Sequence, residues 1–249
     1  MKYKGFTSEI WDKIHEALDQ ELAETDHTPV AAFDADGTLW DTDLGENFFR
    51  WQITNRVLKN LPDDPWKYYR NWKNSGDPRP AYLWLAQINQ GHTLEEVSAW
   101  AEKAVLSIDP LPIFEDQKKL ISLLRSKNVQ VYVVTASVKW AVEPGAQRLG
   151  ISADHVLGVT TKIKNGVIST EQEGLITYHE GKLQALMEKT KGVQPFLVSG
   201  NTMGDFHLLG GASLLALAVG AANEGDELFK TEEQLRQESQ RQGWLSHRF

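Results

Sequence analysis

A chain of 249 residues can form one large domain, or a domain with a substantial insert, and can bury a sizeable core. Its 41% hydrophobic and 24% charged residues are ordinary globular composition, and 26 basic against 34 acidic residues leave a net charge of −8, which argues against nonspecific nucleic-acid binding. With no cysteine, disulfides, thiolate nucleophiles and cysteine-ligated zinc are excluded.

The N-terminal stretch carries charges throughout and has no apolar signal core. No uninterrupted apolar run approaches the roughly 18 residues that would suggest a membrane span. The expectation is a cytoplasmic protein with no membrane partner. From Thr7 to Glu24 the pattern predicts an amphipathic helix with Ile10, Ile14, Leu18 and Leu22 on one face. The apolar run Val30-Ala31-Ala32-Phe33 reads as a buried strand, broken by Gly37-Thr38. Between them stand Asp34 and Asp36, placed where open α/β sheets bind ligands. If the strand continues to Asp36, the two carboxylates point the same way. Such a pair can divide labour as nucleophile or metal ligand and as proton donor or acceptor. It also fits an Asx turn that simply closes a strand.

Residues 41–107 show no strand-like run, and aromatics crowd among helix formers, predicting a small all-helical insert with a break at Asp77-Pro78-Arg79-Pro80. Trp66, Trp72, Trp84 and Trp100 are read as its core. Alternation of helix and strand resumes beyond Asp109-Pro110-Leu111-Pro112. A helix near Glu115 to Lys127 leads to the strand Val129 to Val134, and a helix from Lys139 to Leu149 ends at Gly150. Val156 to Thr170, with Asn165-Gly166 in the middle, predicts a β-hairpin. A helix from Gly181 to Lys189 precedes the strands Phe196 to Val198 and Leu214 to Val219. Alternation of this kind predicts a doubly wound, mostly parallel sheet.

Three further strand ends carry polar groups. Thr135-Ala136-Ser137 follows a buried strand, where hydroxyls and helix N-terminal amides make an anion site or merely an N-cap. Lys182 stands in the first turn of a helix, against the macrodipole, which suits a bound phosphate or a solvated lysine. Gly200-Asn201-Thr202-Met203-Gly204-Asp205 opens a strand into a glycine-containing loop with oxygen donors suited to Mg²⁺, or an ordinary turn.

Together these residues resemble the haloacid dehalogenase superfamily of aspartate-nucleophile phosphatases, from about Val30 to Asn223. FDADGTLW resembles the first motif, DxDGT; Val133 to Thr135 the second; Lys182 the third; and Gly200 to Asp205 the fourth. The helical insert, and Ala136 to Trp140 with Pro144 and Leu149-Gly150-Ile151, resemble the phosphoserine and phosphorylcholine phosphatase branch. The resemblance implies a Rossmann-like core at 1–40 and 108–249 with a helical cap at 41–107. It implies Asp34 as nucleophile, Asp36 as general acid and base, and Thr135, Ala136 and Lys182 on the phosphoryl oxygens. Mg²⁺ would be held by Asp34, the Asp36 carbonyl and Asn201, with Asp205 close by. The fourth motif usually has Asp where this chain has Asn201, so the site loses one negative charge and weaker metal binding is expected.

The expected activity is Mg²⁺-dependent hydrolysis of a small phosphorylated metabolite, with phosphotransfer, pyrophosphate hydrolysis or noncatalytic binding on the same scaffold as alternatives. In the resembled branch an acid shortly after the nucleophile meets a positive part of the substrate. Asp43 and Glu46, flanked by Trp40, Phe48, Phe49 and Trp51, fit an ammonium head through cation–π attraction. That points to phosphocholine, phosphoethanolamine or phosphoserine. Arg50 suits either a substrate carboxylate or a neighbouring acid.

Overall fold

A computed structural model describes residues 3–249. In chain order it contains α1 (Ser8–Glu24), β1 (Val30–Phe33), α2 (Leu44–Thr54), α3 (Pro65–Lys73), α4 (Arg79–Gln87), α5 (Leu94–Leu106), α6 (Glu115–Ser126), β2 (Gln130–Val138) and α7 (Lys139–Arg148). Then follow β3 (Val156–Lys164), β4 (Val167–Glu173), α8 (Glu180–Lys189), β5 (Leu197–Gly200), α9 (Phe206–Gly210), β6 (Leu215–Gly220), α10 (Phe229–Gln242) and β7 (Leu245–Arg248). Strands are hydrogen-bonded in the order β4-β3-β2-β1-β5-β6-β7, and the pairs from β2 through β7 are parallel where their registers are defined. This is the mixed α/β, mostly parallel sheet that the alternating pattern predicts. Among the described residues no helix is long and apolar enough to cross a membrane.

The chain divides into two compact units. The first takes in the N-terminal stretch through Thr42, Pro112–Val134 and His179–Phe249; the second takes in Asp43–Leu111 and Thr135–Tyr178. In the first unit β1 lies centrally, with Phe33 beside both Val133 of β2 and Ser199 of β5. All four β1 residues are buried, as expected of a strand covered on both faces. Thr7 caps α1 by accepting from the Ile10 N–H at 3.3 Å, and Ile10, Ile14, Ala17 and Leu18 go into the core. Leu22, expected on that face, lies one turn beyond the covered stretch and is exposed.

In the second unit, α2 to α5 and α7 share one core with the β3–β4 hairpin. Phe48, Phe49, Tyr69, Leu85, Val97 and Ala101 cluster with Val138, Trp140, Ala141, Val159 and Ile168. Trp66, Trp72, Trp84 and Trp100 pack against this cluster, as the sequence predicts. The hairpin turns at Asn165 and Gly166, both with positive φ (53° and 80°), the two-residue turn that matches strand twist. β2 runs further than expected. Thr135-Ala136-Ser137 belongs to the strand itself, because the buried Val138 extends the apolar pattern past Val134.

Candidate active site

β1 ends at Phe33, so strand alternation does not align Asp34 with Asp36; a tight loop delivers both. The Gly37 N–H donates to the Trp40 carbonyl at 2.9 Å, and the Trp40 indole N–H donates to Asp36 Oδ1 at 2.8 Å. Gly37 has φ +80°, and a Cβ there would lie 2.0 Å from Asn201 Nδ2. Only glycine fits both the turn and that approach. Trp40 is fully buried, so its role differs from the head-group aromatic read from sequence: it positions Asp36.

Asp34 is buried at the carboxyl end of the central strand, where its N–H donates to the Ser199 carbonyl of β5 at 2.9 Å. Ser199 is itself fixed by Gln117 of α6, whose Nε2 donates to its Oγ at 2.9 Å. Lys182, in the first turn of α8, donates to Asp34 Oδ1 and to Asp205 Oδ1, both at 2.5 Å. It is neither a surface lysine nor a solvated one: it is 3% exposed. Just before it His179 holds φ 49° and ψ −123°, a strained conformation that starts the helix, and its carbonyl accepts from the Lys182 N–H at 3.1 Å. The second oxygen of Asp205 accepts from the Asn201 and Thr202 N–H groups at 3.1 and 3.0 Å. Asp205 therefore anchors Lys182 and organises its own loop with both oxygens engaged.

Burial is the largest influence on Asp34 and pushes its carboxyl up to about 7; the Asp205 charge adds to this and Lys182 opposes it. Burial also works against the Lys182 ammonium, but Asp205 and Asp34 outweigh it and hold Lys182 above its usual value. The two shifts pull the Asp34–Lys182 contact in opposite senses. The pair of 2.5 Å contacts argues for a charged Lys182 shared between two carboxylates, one cation against two anions.

Thr38 was not singled out by sequence, yet it sits at the centre of the site. Its hydroxyl lies 3.1 Å from Asp34 Oδ2 and 3.3 Å from Asn201 Oδ1, so these two oxygens converge on one atom. Its sequence signal was its place as the threonine of the DxDGT-like stretch, which by itself assigns it no contact. Asn201 is buried, and its Nδ2 has no hydrogen-bond partner.

The remaining predicted residues lie in the second unit. Thr135 Oγ1 accepts from the Ser137 N–H at 3.0 Å, its carbonyl accepts from the buried Thr177 hydroxyl, and Ala136 is half-buried beside it. Asp43 caps α2 by accepting from the Glu46 N–H at 2.7 Å. Glu46 accepts from Lys73 at 2.8 Å, with Arg70 at 3.6 Å. Burial disfavours the Lys73 charge, but Asp43 and Glu46 prevail and keep it protonated. A cation from within the chain thus already stands beside these two acids. Arg50 lies over the Trp66 ring, 3.5 Å from its centroid.

The fold is thus an α/β sheet with a buried aspartate, ion-paired to a buried lysine, at the end of its central parallel strand. The profile of the haloacid dehalogenase-like hydrolases matches residues 31–210, and the chain belongs to that family. A phosphorylcholine phosphatase from Pseudomonas aeruginosa is 26% identical over 208 residues, covering 67% of this chain and 59% of the relative. The chain therefore spans less than two thirds of that curated relative. A Bordetella pertussis Tohama I protein of unknown function superposes with a TM-score of 0.72 at 19% identity, over 89% of this chain and 99% of the other. A substrate-bound phosphoserine phosphatase superposes at 0.52 with 16% identity, over 78% of this chain and 87% of the other. Both share the fold.

Proposed function

We propose that the protein is a Mg²⁺-dependent phosphomonoesterase acting on a small phosphorylated metabolite through an aspartyl-phosphate on Asp34. The observation that carries this reading is the buried Asp34–Lys182–Asp205 arrangement at the carboxyl end of β1. Phosphate monoesters resist attack because their oxygens are anionic, so the nucleophile must be flanked by positive charge. Lys182 supplies one such charge, at hydrogen-bond distance from the proposed nucleophile. Asp34 would attack phosphorus as the ester bond to the leaving oxygen breaks. Asp36, half-buried and held by the Trp40 indole, would give that oxygen its proton and then take one from the water that cleaves the acyl phosphate. Thr135 and Ala136 are proposed to hold phosphoryl oxygens with Lys182.

Family phosphatases are generally metal-dependent. Asp34 Oδ2 and Asn201 Oδ1 converge on Thr38, and hard oxygen donors of this kind fit Mg²⁺. The proposed set is Asp34, the Asp36 carbonyl and Asn201, with Asp205 behind it. Among the described residues no three Asp, Glu or His side chains form a metal cage, so the set depends on an amide and a main-chain oxygen. When bound, the ion would offset phosphate charge and the upward pressure of burial on Asp34.

The relative's name, phosphorylcholine phosphatase, supports an amine or amino-acid phosphate as substrate, with Asp43, Glu46 and Arg50 as proposed head-group contacts. The test is p-nitrophenyl phosphate turnover with Mg²⁺, with EDTA and in Asp34→Asn, followed by a screen of phosphorylated amines. EDTA and Asp34→Asn should each lower turnover at least a thousandfold, by analogy with loss of a reacting nucleophile. Undiminished turnover in Asp34→Asn would overturn the mechanism.

A further inference from the structure

The proposed metal loop carries a neutral Asn201 in place of the family's acid, yet a buried carboxylate stands behind it. Glu232 projects from α10 and is 4% exposed. Its Oε2 accepts from the N–H groups of Ala221 and Ala222, at 3.1 and 3.0 Å, in the loop that leaves β6. A Cβ on Gly220 would lie 2.6 Å from that oxygen, so the carboxylate rests directly on the end of β6. Parallel register sets Gly200 of β5 beside Ala218 of β6. Asn201, one residue on, therefore leaves the sheet level with Val219 and Gly220, the residue Glu232 touches.

We infer that Glu232 is a positioning residue that restores from α10 the negative charge Asn201 lacks at the metal site. Its Oε2 also lies 3.5 Å from Arg248, whose Nη2 donates to the Ala222 carbonyl. That guanidinium is 36% exposed, so solvent screens it and the buried carboxylate keeps much of its field. Burial raises the Glu232 carboxyl, and the Ala222 and Ala221 N–H groups, then Arg248, then the Asn201 amide oppose that rise. Asn201 is buried, its Oδ1 lies 3.3 Å from the Thr38 hydroxyl, and its Nδ2 makes no hydrogen bond among the described residues.

The inference rests on Asp34 and Asn201 holding a metal ion, and the experiment separates the two claims. Mg²⁺ is titrated calorimetrically into metal-free wild type, Glu232→Gln, Glu232→Asp, Asn201→Asp and the Asn201→Asp/Glu232→Gln double variant, with metal-free Tm recorded for each. Removing an outer partner of a metal ligand typically costs about 10- to 100-fold in metal affinity. Glu232→Gln, which keeps an acceptor for Ala221 and Ala222, should weaken Mg²⁺ binding by about that factor. Glu232→Asp keeps the charge and should stay within a few-fold of wild type even if its Tm falls. Asn201→Asp should improve affinity more in the Glu232→Gln background than in wild type. Equal Mg²⁺ affinity in wild type and Glu232→Gln would overturn the inference, as would equal losses in Glu232→Gln and Glu232→Asp. A wild type that binds no Mg²⁺ overturns the metal reading itself.

Discussion

Lys182 is the residue on which the buried charges of the first unit depend. Its single ammonium touches Asp34 and Asp205, and no other cation is hydrogen-bonded to either among the described contacts. Replacing it with Met keeps most of the volume and leaves two carboxylates buried with their hydrogen bonds incomplete. Breaking a buried pair in this way costs about 3–5 kcal/mol. Urea unfolding of Lys182→Met should show a loss of that size, and Lys182→Met/Asp205→Asn should recover part of it by removing one anion. No recovery would mean that packing around the aliphatic stem matters more than charge. At this scale Asp34, Asp36, Asn201 and Asp205 were legible as oxygen-bearing side chains in the loops that follow β1 and β5, and Lys182 as a lysine set against the macrodipole in the first turn of a helix. Thr38, Trp40 and Glu232 were not. Their roles come from what they touch, and Thr38 meets Asn201 across 163 positions of chain.

The turns of the molecule separate two costs that a glycine can hide. Gly37 and Gly166 both have φ of +80°. A Cβ on Gly166 meets nothing within 4 Å, whereas one on Gly37 would strike Asn201 Nδ2. Gly166→Ala should therefore carry the backbone term alone, about 1 kcal/mol, and leave turnover unchanged. Gly37→Ala should cost more than that and also displace Asn201 from Asp34, lowering turnover and weakening Mg²⁺ binding. Paired urea unfolding and p-nitrophenyl phosphate assays check both. Equal effects from the two substitutions would show that the contact with Asn201 is not what makes Gly37 necessary. The Asn165-Gly166 hairpin was readable because its chemistry is local. β2 was underread because Thr135-Ala136-Ser137 looks like a loop until the burial of Val138 is known, and β7 because its four residues, Leu-Ser-His-Arg, carry no apolar run.

On the scale of the whole chain, the pattern of alternating helices and strands announced the parallel sheet, while the partners of the helical segment at 41–107 were beyond its reach. Aromatic crowding says that a segment needs a core, not who completes it. We retain as a proposal that residues 41–107 act as a cap on a core formed by 1–40 and 108–249. The packing adds a condition. Phe48, Phe49, Val97 and Ala101 share their cluster with Val138, Trp140, Ala141, Val159 and Ile168, which lie outside that segment. A segment of this length alone buries only about 60% of the surface its unfolded chain exposes, which is marginal even with a complete core. Removing the contribution of α7 and the β3–β4 hairpin takes away several side chains, each contributing about 1.5–3 kcal/mol by burial. Residues 41–107 expressed alone should therefore show no cooperative thermal transition and poor amide dispersion by NMR. The same residues joined by a short flexible linker to 135–178 should fold cooperatively, because the join restores Trp140 and Ala141 to the aromatic cluster. Cooperative unfolding of the 41–107 fragment by itself would show that its own helices suffice, and that α7 and the hairpin are additions to the cap rather than part of its core.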